Sequence, residues 1–329
     1  MRIATFNMES LGESGGAAES DRRRIAVLRP QLLRLDADIV CMQEVNAPRG
    51  PDGVRRLLLL DELVDGTPYA EYRRASTTRR GTADLLDRHN LVVLSRWPIA
   101  ESGQILHDLV PPVAHRFLSG ADAGQEHRIC FDRPLLLVAI ELPDGRRLHV
   151  LNLHFRAPLA APVPGEKTGP FAWASVAGWA EGYFIASVKR SGQALEARLA
   201  VERILDADAG ALVVVAGDFN AETREVPTRI LLGDVEDTGN GALAERSLIP
   251  LERSLPESSR YSVLHGGRRM MLDHLLASRP LMALYRGMEV HNEALGDELF
   301  AQSGVKDSAE SYHAPVVATF ADPGEAEAK

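Results

Sequence analysis

Apolar stretches of this sequence end, again and again, in a side chain that can hold a cation, take up a proton or steady a water. The positions are Asn7, Glu44, His154, Asp218 with Asn220, and Asp273. A single polar residue after a buried run can simply start a turn. Turns explain the whole set poorly, because every member is a ligand or a base. Strands that end at one edge of a sheet place their next residues in one crevice. A carboxylate such as Glu44 placed there suits a hard divalent cation, which takes oxygen ligands and keeps several of its waters. Asp218 and Asn220 are two apart. In an extended segment that spacing points both side chains to the same side. There the aspartate can orient or deprotonate a water and the amide can steady it. The alternative is an Asx turn, which both residue types favour.

The elements that must position these groups are legible as apolar runs. Arg2–Phe6 reads as a strand, followed by a loop rich in Gly, Glu and Ser. Ile25, Leu28, Leu32 and Leu35 have the three-and-four spacing of an amphipathic helix, predicted over about residues 21–35. Ile39–Gln43 reads as a short buried strand. Leu91–Ser95 and Leu135–Leu142 are further strands, the second turning at Pro143-Asp144-Gly145 into Leu148–Leu153. A helix over about residues 191–206 precedes the strand Ala211–Ala216, and Met271–Ala277 and Pro315–Phe320 close the series. Strands outnumber helices, and many are joined without a crossover helix. That argues for a mixed or antiparallel two-sheet core with helices outside. Residues 156–190 break the rhythm with four prolines, then Phe171, Trp173, Trp179, Tyr183 and Phe184. They read as an inserted loop plus helix, whose aromatics either meet substrate or bury their own helix. The acidic tail from Ala321 is expected to fray.

Composition narrows the function classes. The 329 residues are 45% hydrophobic and 25% charged, as in ordinary globular proteins. The net charge of −9 weighs against unspecific duplex binding, which wants a basic face. Cys41 and Cys130 sit in apolar runs and are expected to be buried, reduced thiols. There is no clustered cysteine motif of the kind that holds zinc. The opening MRIATFNMES lacks the apolar region of a secretory signal. No apolar run approaches the roughly 18 residues needed to span a bilayer, so a cytoplasmic location is expected. Gly165-Glu166-Lys167-Thr168 lacks the glycine before lysine that a phosphate-cradling loop requires, and Pro162 and Pro164 precede it.

Seven segments together resemble one family. They are ATFNM (4–8), MQEV (42–45), NLVVLSRWPI (90–99), NLHFRAP (152–158), GDFNAE (217–222), LDHLLAS (272–278) and YHAP (312–315). Each alone is weak. In this order, spanning nearly the whole chain, they resemble the endonuclease/exonuclease/phosphatase superfamily, which includes DNase I, AP endonucleases, neutral sphingomyelinases and inositol polyphosphate 5-phosphatases. The resemblance implies an α/β, four-layer sandwich of two mixed β-sheets flanked by helices. It also implies one domain over residues 1–322, with the insert at about 156–190 and a disordered acidic tail at 323–329.

The same resemblance implies roles. Glu44 would carry Mg²⁺, with Mn²⁺ or Ca²⁺ as alternatives, and Asn7 would lie beside it. His313 would contact the scissile phosphate, and Asp273 would bond to it and fix its tautomer. His154 would stand near the leaving group. Arg133 matches an arginine aimed at phosphate, although a surface arginine would read the same way. Asn90 and His274 are softer matches, and His274 is expected to face away from Asp273. One departure stands out: Ser311-Tyr312-His313 occupies the place of the family's usual Ser-Asp-His. The missing aspartate normally supports the metal, and Asp307 or Glu310 are the carboxylates near enough in sequence to compensate. The expected reaction is hydrolysis of a phosphate monoester or diester by a water that Asp218 prepares, with the metal neutralising charge on phosphate. The acidic charge and the aromatic insert favour a small or lipid-like ester over nucleic acid. A nuclease is the alternative, and a catalytically silent binding protein of the same fold the second.

Overall fold

Alternation along the strands decides the layers. In β1 (Arg2–Leu11), Ile3 turns one way and Ala4 and Phe6 the other. In β2 (Ile39–Val45), Ile39 and Cys41 share the face of Ile3, while Val40 and Met42 share that of Phe6. With both faces of these two strands buried, their sheet must be covered on both sides. The computed structural model describes residues 1–12, 19–169, 172–299 and 309–322. Residues 323–329 of the expected tail, Phe171 and Asp307 lie outside the described residues. Ala321 and Asp322, expected to fray, are held, the Ala321 N–H donating to the Leu284 carbonyl at 2.7 Å and Asp322 pairing with the Met1 amino group at 2.9 Å.

The first sheet has the order β15-β16-β1-β2-β4-β3. Its other members are β3 (Arg73–Ser76), β4 (Asn90–Ser95), β15 (Tyr285–Val290) and β16 (Val316–Phe320). The second has the order β11-β14-β10-β9-β8-β5. Its members are β5 (Ile99–Ile105), β8 (Leu135–Glu141), β9 (Arg147–His154), β10 (Leu212–Asp218), β11 (Ile249–Pro250) and β14 (Asp273–Ala277). Two ribbons stand apart, β6 (Val113–Arg116) with β7 (Glu126–Ile129), and β12 (Val263–His265) with β13 (Arg268–Met270).

Each sheet contains one parallel pair among antiparallel neighbours. The pairs are β1 with β2 and β9 with β10. Parallel strands need a crossover, and each pair has a helix for it: α1 (Glu19–Leu35) joins β1 to β2, and α3 (Val176–Ala207) joins β9 to β10. The helix α2 (Leu58–Val64) packs with α1 on the outer face of the first sheet, and α4 (Val226–Leu232) with α3 on that of the second. Between the sheets lies a third apolar layer, with Ile3, Cys41 and Val93 from one and Val138, Val150, Val214 and Leu275 from the other. The result is a four-layer α/β sandwich of two mixed sheets flanked by helices. Among the described residues, no helix is long and apolar enough to cross a membrane.

Three further expectations are corrected. The helix expected from residue 191 starts at Val176, where the Ser175 side chain accepts from Gly178 N, so the helical part of the insert and the crossover helix are one element of 32 residues. The expected strand Met271–Ala277 begins at Asp273, so this aspartate opens a strand. Cys41 is buried, but Cys130 is exposed, because it follows the end of the outlying ribbon β6-β7 and is not part of a sheet core.

Candidate active site

Topology collects the polar residues. Parallel strands finish at the same edge, so Asn7, Glu44, His154 and Asp218 emerge together from β1, β2, β9 and β10. Asp273 joins them from the start of β14, which runs antiparallel to β10 and pairs it with Asp218. His313 joins from just before β16, antiparallel to β1.

Side-chain parity takes most of them inward. Ile3, Thr5 and Asn7 follow one face of β1, and Val214, Ala216 and Asp218 one face of β10. Gly217, with φ +146°, lies so close to β9 that a Cβ there would meet the Leu153 carbonyl oxygen at 1.9 Å. Only glycine permits this approach, which seats Asp218 beside His154. Glu44 breaks the rule. By parity with Val40 and Met42 it would point out toward the helices. A bulge between Met42 and Val45, with Glu44 at φ +58°, re-aims it. Seven non-glycine residues have positive φ among the described residues, and Glu9, Ser10, Glu44, His89 and Asn220 all belong to this edge. Such conformations are uncommon and collect at functional sites.

The hydrogen bonds form one network. Asn7 Nδ2 donates to Asp218 Oδ2 at 3.0 Å and lies 3.5 Å from Glu44 Oε1. Glu44 Oε2 accepts from Ser10 N at 3.1 Å and Ser10 Oγ at 3.3 Å. His154 Nε2 stands 3.4 Å from Asp218 Oδ2 and 3.6 Å from Glu44 Oε1. His313 Nδ1 donates to Asp273 Oδ2 at 2.8 Å, leaving Nε2 4.0 Å from Asp218 Oδ2. Asn220 does not sit in an extended segment. Its N–H donates to Asp218 Oδ1 at 2.8 Å, an Asx turn, and its Nδ2 reaches Asp218 Oδ2 and the Phe155 carbonyl, both at 3.1 Å. The turn and the shared side are thus both present. Arg133, partly buried, donates to the Phe155 carbonyl at 3.2 Å and adds positive charge near Glu44 and Asp218.

Burial and neighbours set the charges. Burial raises the Asp218 carboxyl to about 7, against the pull of His313. Burial opposes the charge on His313, but Asp273 and Asp218 outweigh it and raise the imidazole to about 10. His154 is driven the other way by burial and by Arg133, well below the usual imidazole range. For Glu44, burial is outweighed by His89, His154 and Arg133, which hold the carboxyl far below its ordinary value. The two histidines therefore differ: His313 is an imidazolium at neutral pH and His154 a neutral imidazole.

The softer matches are structural. Asn90 is buried and its Nδ2 donates to the carbonyls of Val45 and Leu86, both at 2.9 Å. His274 faces away from Asp273, and sits between Glu252 and the Ala221 carbonyl, both at 2.9 Å. At the place of the missing aspartate, Tyr312 is buried and its N–H donates to Glu9 Oε2 at 2.7 Å. Glu9, His89 and the buried Gln43–Asn152 pair were not visible as site residues in the sequence. Gln43 Nε2 donates to Asn152 Oδ1 at 2.8 Å and to Thr5 Oγ1 at 3.1 Å, tying the sheets together below the site. Gln43 and Asn152 lie inside the MQEV and NLHFRAP segments, which was the only signal available.

Fold and site together define a class: a four-layer sandwich with carboxylates and imidazoles gathered where both parallel pairs end. The family model described as endonuclease/exonuclease/phosphatase family matches residues 4–295. The chain belongs to that family, whose members are hydrolytic phosphoesterases. Solved structures at low identity share the fold. Truncated TDP2 from Caenorhabditis elegans is 16% identical with a TM-score of 0.55, covering 97% of this chain and 96% of that one. An AP endonuclease from Archaeoglobus fulgidus is 16% identical with a TM-score of 0.53, over 97% and 99%. The 3′ phosphatase NExo from Neisseria, bound to a product DNA hairpin, is 15% identical with a TM-score of 0.52, also over 97% and 99%. Among curated proteins no match is found.

Proposed function

We propose that the chain hydrolyses a phosphate ester at this edge, with Glu44 and Asn7 holding a divalent cation and Asp218, Asn220, Asp273, His154 and His313 carrying the chemistry. The observation that carries this reading is the Asp218 Oδ2 atom, which accepts from Asn7 at 3.0 Å and Asn220 at 3.1 Å and has the His154 and His313 Nε2 atoms 3.4 and 4.0 Å away. A buried carboxylate so surrounded is suited to accept a proton from water.

Glu44 fits a cation. Among the described residues its Oε1 has only long contacts, to Asn7 at 3.5 Å and His154 at 3.6 Å, so its lone pairs are left for a ligand. When bound, the cation supplies positive charge at the phosphate oxygens. Mg²⁺, Mn²⁺ and Ca²⁺ all suit a carboxylate and an amide. Asp218 orients the water, and Asn220 holds Asp218 through its Asx turn. His313, charged and fixed by Asp273, donates from Nε2 to the phosphate or the leaving oxygen. His154, neutral, donates a single hydrogen bond. Arg133 meets a second phosphate oxygen, as a guanidinium suits.

Two readings of the substrate have support. Trp179, Tyr183 and Phe184 are 45%, 40% and 54% exposed, which favours a substrate with an apolar part. A nucleic acid is favoured by arginines in the grooves on either side. One groove carries Arg79, Arg88, Arg133 and Arg156 beside His89, Asp87 and Asp132, and the other Arg224, Arg260 and Arg269 beside Glu222 and Glu257, an excess of arginine in each. These local patches counter the argument from the net charge of −9.

The test is a hydrolysis panel with Mg²⁺, Mn²⁺ and Ca²⁺ against an aryl phosphodiester, an aryl phosphomonoester, plasmid DNA and sphingomyelin. Chelator should abolish turnover, and Glu44→Gln should raise the metal concentration required. Asp218→Asn and His313→Ala should each cost about a hundredfold or more, the usual share of a positioned acid or base. Full turnover in chelator, or in either folded variant, would overturn the reading.

A further inference from the structure

His89 has no place in the chemistry above, yet it is held beside it. It sits in the loop before β4, and its side chain is 32% exposed. Its φ of +57° is one that side chains seldom adopt. Its N–H donates to Asn46 Oδ1 at 2.9 Å, and Asn90 clamps the same loop to the end of β2. The loop is built to present this imidazole to the bulge that carries Glu44.

Three donors converge there from three elements. One ligand atom from each of Glu44, His89 and His154 lies within 4.8 Å of the others. Glu44 Oε2 is 3.5 Å from His89 Nδ1, and Glu44 Oε1 is 3.6 Å from His154 Nε2. Charge-assisted hydrogen bonds are shorter, about 2.7–2.9 Å. Donors that share one ion at bond lengths of about 2.0–2.2 Å must instead stand roughly 3–4 Å apart. The rings do not stack, with centroids 6.1 Å apart and planes at 70°. His89 Nδ1, the ring nitrogen that faces Glu44, is buried without a hydrogen-bond partner among the described residues.

We propose that Glu44, His89 and His154 form a nitrogen-rich site for a divalent metal late in the first transition row, of the cobalt and zinc class, in preference to Mg²⁺. Mg²⁺ gains little from imidazole, whereas the later metals of the row bind it well. The proposal rests on the reading of Glu44 as the carboxylate that holds the cation. It adds two nitrogen donors to that site, with His154 Nε2 a hydrogen-bond donor in the metal-free chain and a ligand once the metal binds, and thereby names the metal class.

The test uses the full chain stripped of metal. Co²⁺ is titrated and followed by its visible absorption, and Co²⁺, Mn²⁺ and Mg²⁺ affinities are measured by calorimetry. Co²⁺ should bind one to one, with bands shifted from those of the aqua ion, and at least tenfold tighter than Mg²⁺. His89→Ala should weaken Co²⁺ about tenfold or more, at least the loss typical of removing a supporting partner, while Mg²⁺ affinity changes less than twofold. His89→Asn should behave alike, since asparagine tolerates the left-handed backbone and keeps the loop folded. Equal affinities for Co²⁺ and Mg²⁺, or an unchanged Co²⁺ spectrum in both His89 variants, would overturn the proposal. If Glu44→Gln weakens binding and the His89 variants do not, the extra donors fall and the phosphoesterase reading stands. If Glu44→Gln also leaves every affinity unchanged, both fall.

Discussion

Asn7 at the end of one sheet donates a hydrogen bond to Asp218 at the end of the other, 3.0 Å away and 211 residues along the chain. The bond closes the sandwich at its functional edge. Asn7→Ala should therefore cost both stability and rate. An orphaned buried acceptor costs about 1–3 kcal/mol, and Asp218 would keep its Asn220 donors, so the lower half of that range is expected. Turnover should fall at least tenfold. Denaturant unfolding and initial rates measure the two effects, and a variant unchanged in both would mean that the bond is not made in solution.

Ionisation at the edge makes the metal-free protein less stable as pH rises. Asp218 is raised from 3.8 to about 7 by burial, and His313 from 6.5 to about 10 by Asp273 and Asp218 against burial. Across both windows the folded chain holds more protons than the unfolded one, so these groups' contribution declines from about pH 4 to 10. Turnover should climb through neutral pH as Asp218 ionises, and fall where His313 loses its proton. Asp273→Asn removes one of the charges that raise His313, so its alkaline limb should move to lower pH. A pH–rate profile whose alkaline limb is the same in both proteins would show that Asp273 does not govern His313.

Gln43 links the sheets beneath the site and touches none of the proposed reacting groups. Gln43→Leu should strand the Asn152 side-chain oxygen, Oδ1, at a cost of about 1–3 kcal/mol. The relative rates on different substrates should stay as they were. A changed substrate ranking would place Gln43 in the site itself.

The aromatics of the insert divide by exposure, Trp173 standing before α3 and Trp179 and Tyr183 on it. Trp173 is partly buried, with Lys167 Nζ 4.5 Å from its ring centre, and its indole would collide with any side chain at position 182. Trp179 stacks on Tyr183, and both are exposed. Arg190 donates to the Asn220 carbonyl, and Trp179 lies about 16 Å further along the helix at 1.5 Å per residue. Trp179→Ala should alter the preference between substrates with an unchanged melting temperature. Trp173→Ala should lower the melting temperature and slow all substrates alike. The reverse pattern would make the exposed pair irrelevant to substrate.

Much of this arrangement is written locally. The residues that line α1 against the first sheet, Ile25, Leu28, Leu32 and Leu35, are the ones whose spacing predicts the helix. Asn7, His154 and Asp218 follow the inward parity of their own strands, and His274 turns away from Asp273 as alternation requires. Such patterns report burial and side, because each strand residue alternates whatever its partners are.

Other features were decided only in three dimensions. Parity along β2 would send Glu44 outward, and a bulge against β4 turns it in. Nothing in the segment around His89 marks it as a neighbour of Glu44. It becomes one because β4 pairs with β2 and Asn46 and Asn90 pin the loop. The length of α3 was hidden by the prolines and aromatics before it, and the exposure of Cys130 by the apolar run that follows it. By itself the sequence determined which residue types stand at the strand ends and which way most of them face. The meeting of those ends in one site depended on strand pairing between distant segments, on close approaches such as Gly217 against Leu153, and on left-handed residues that only the assembled sheets hold in place.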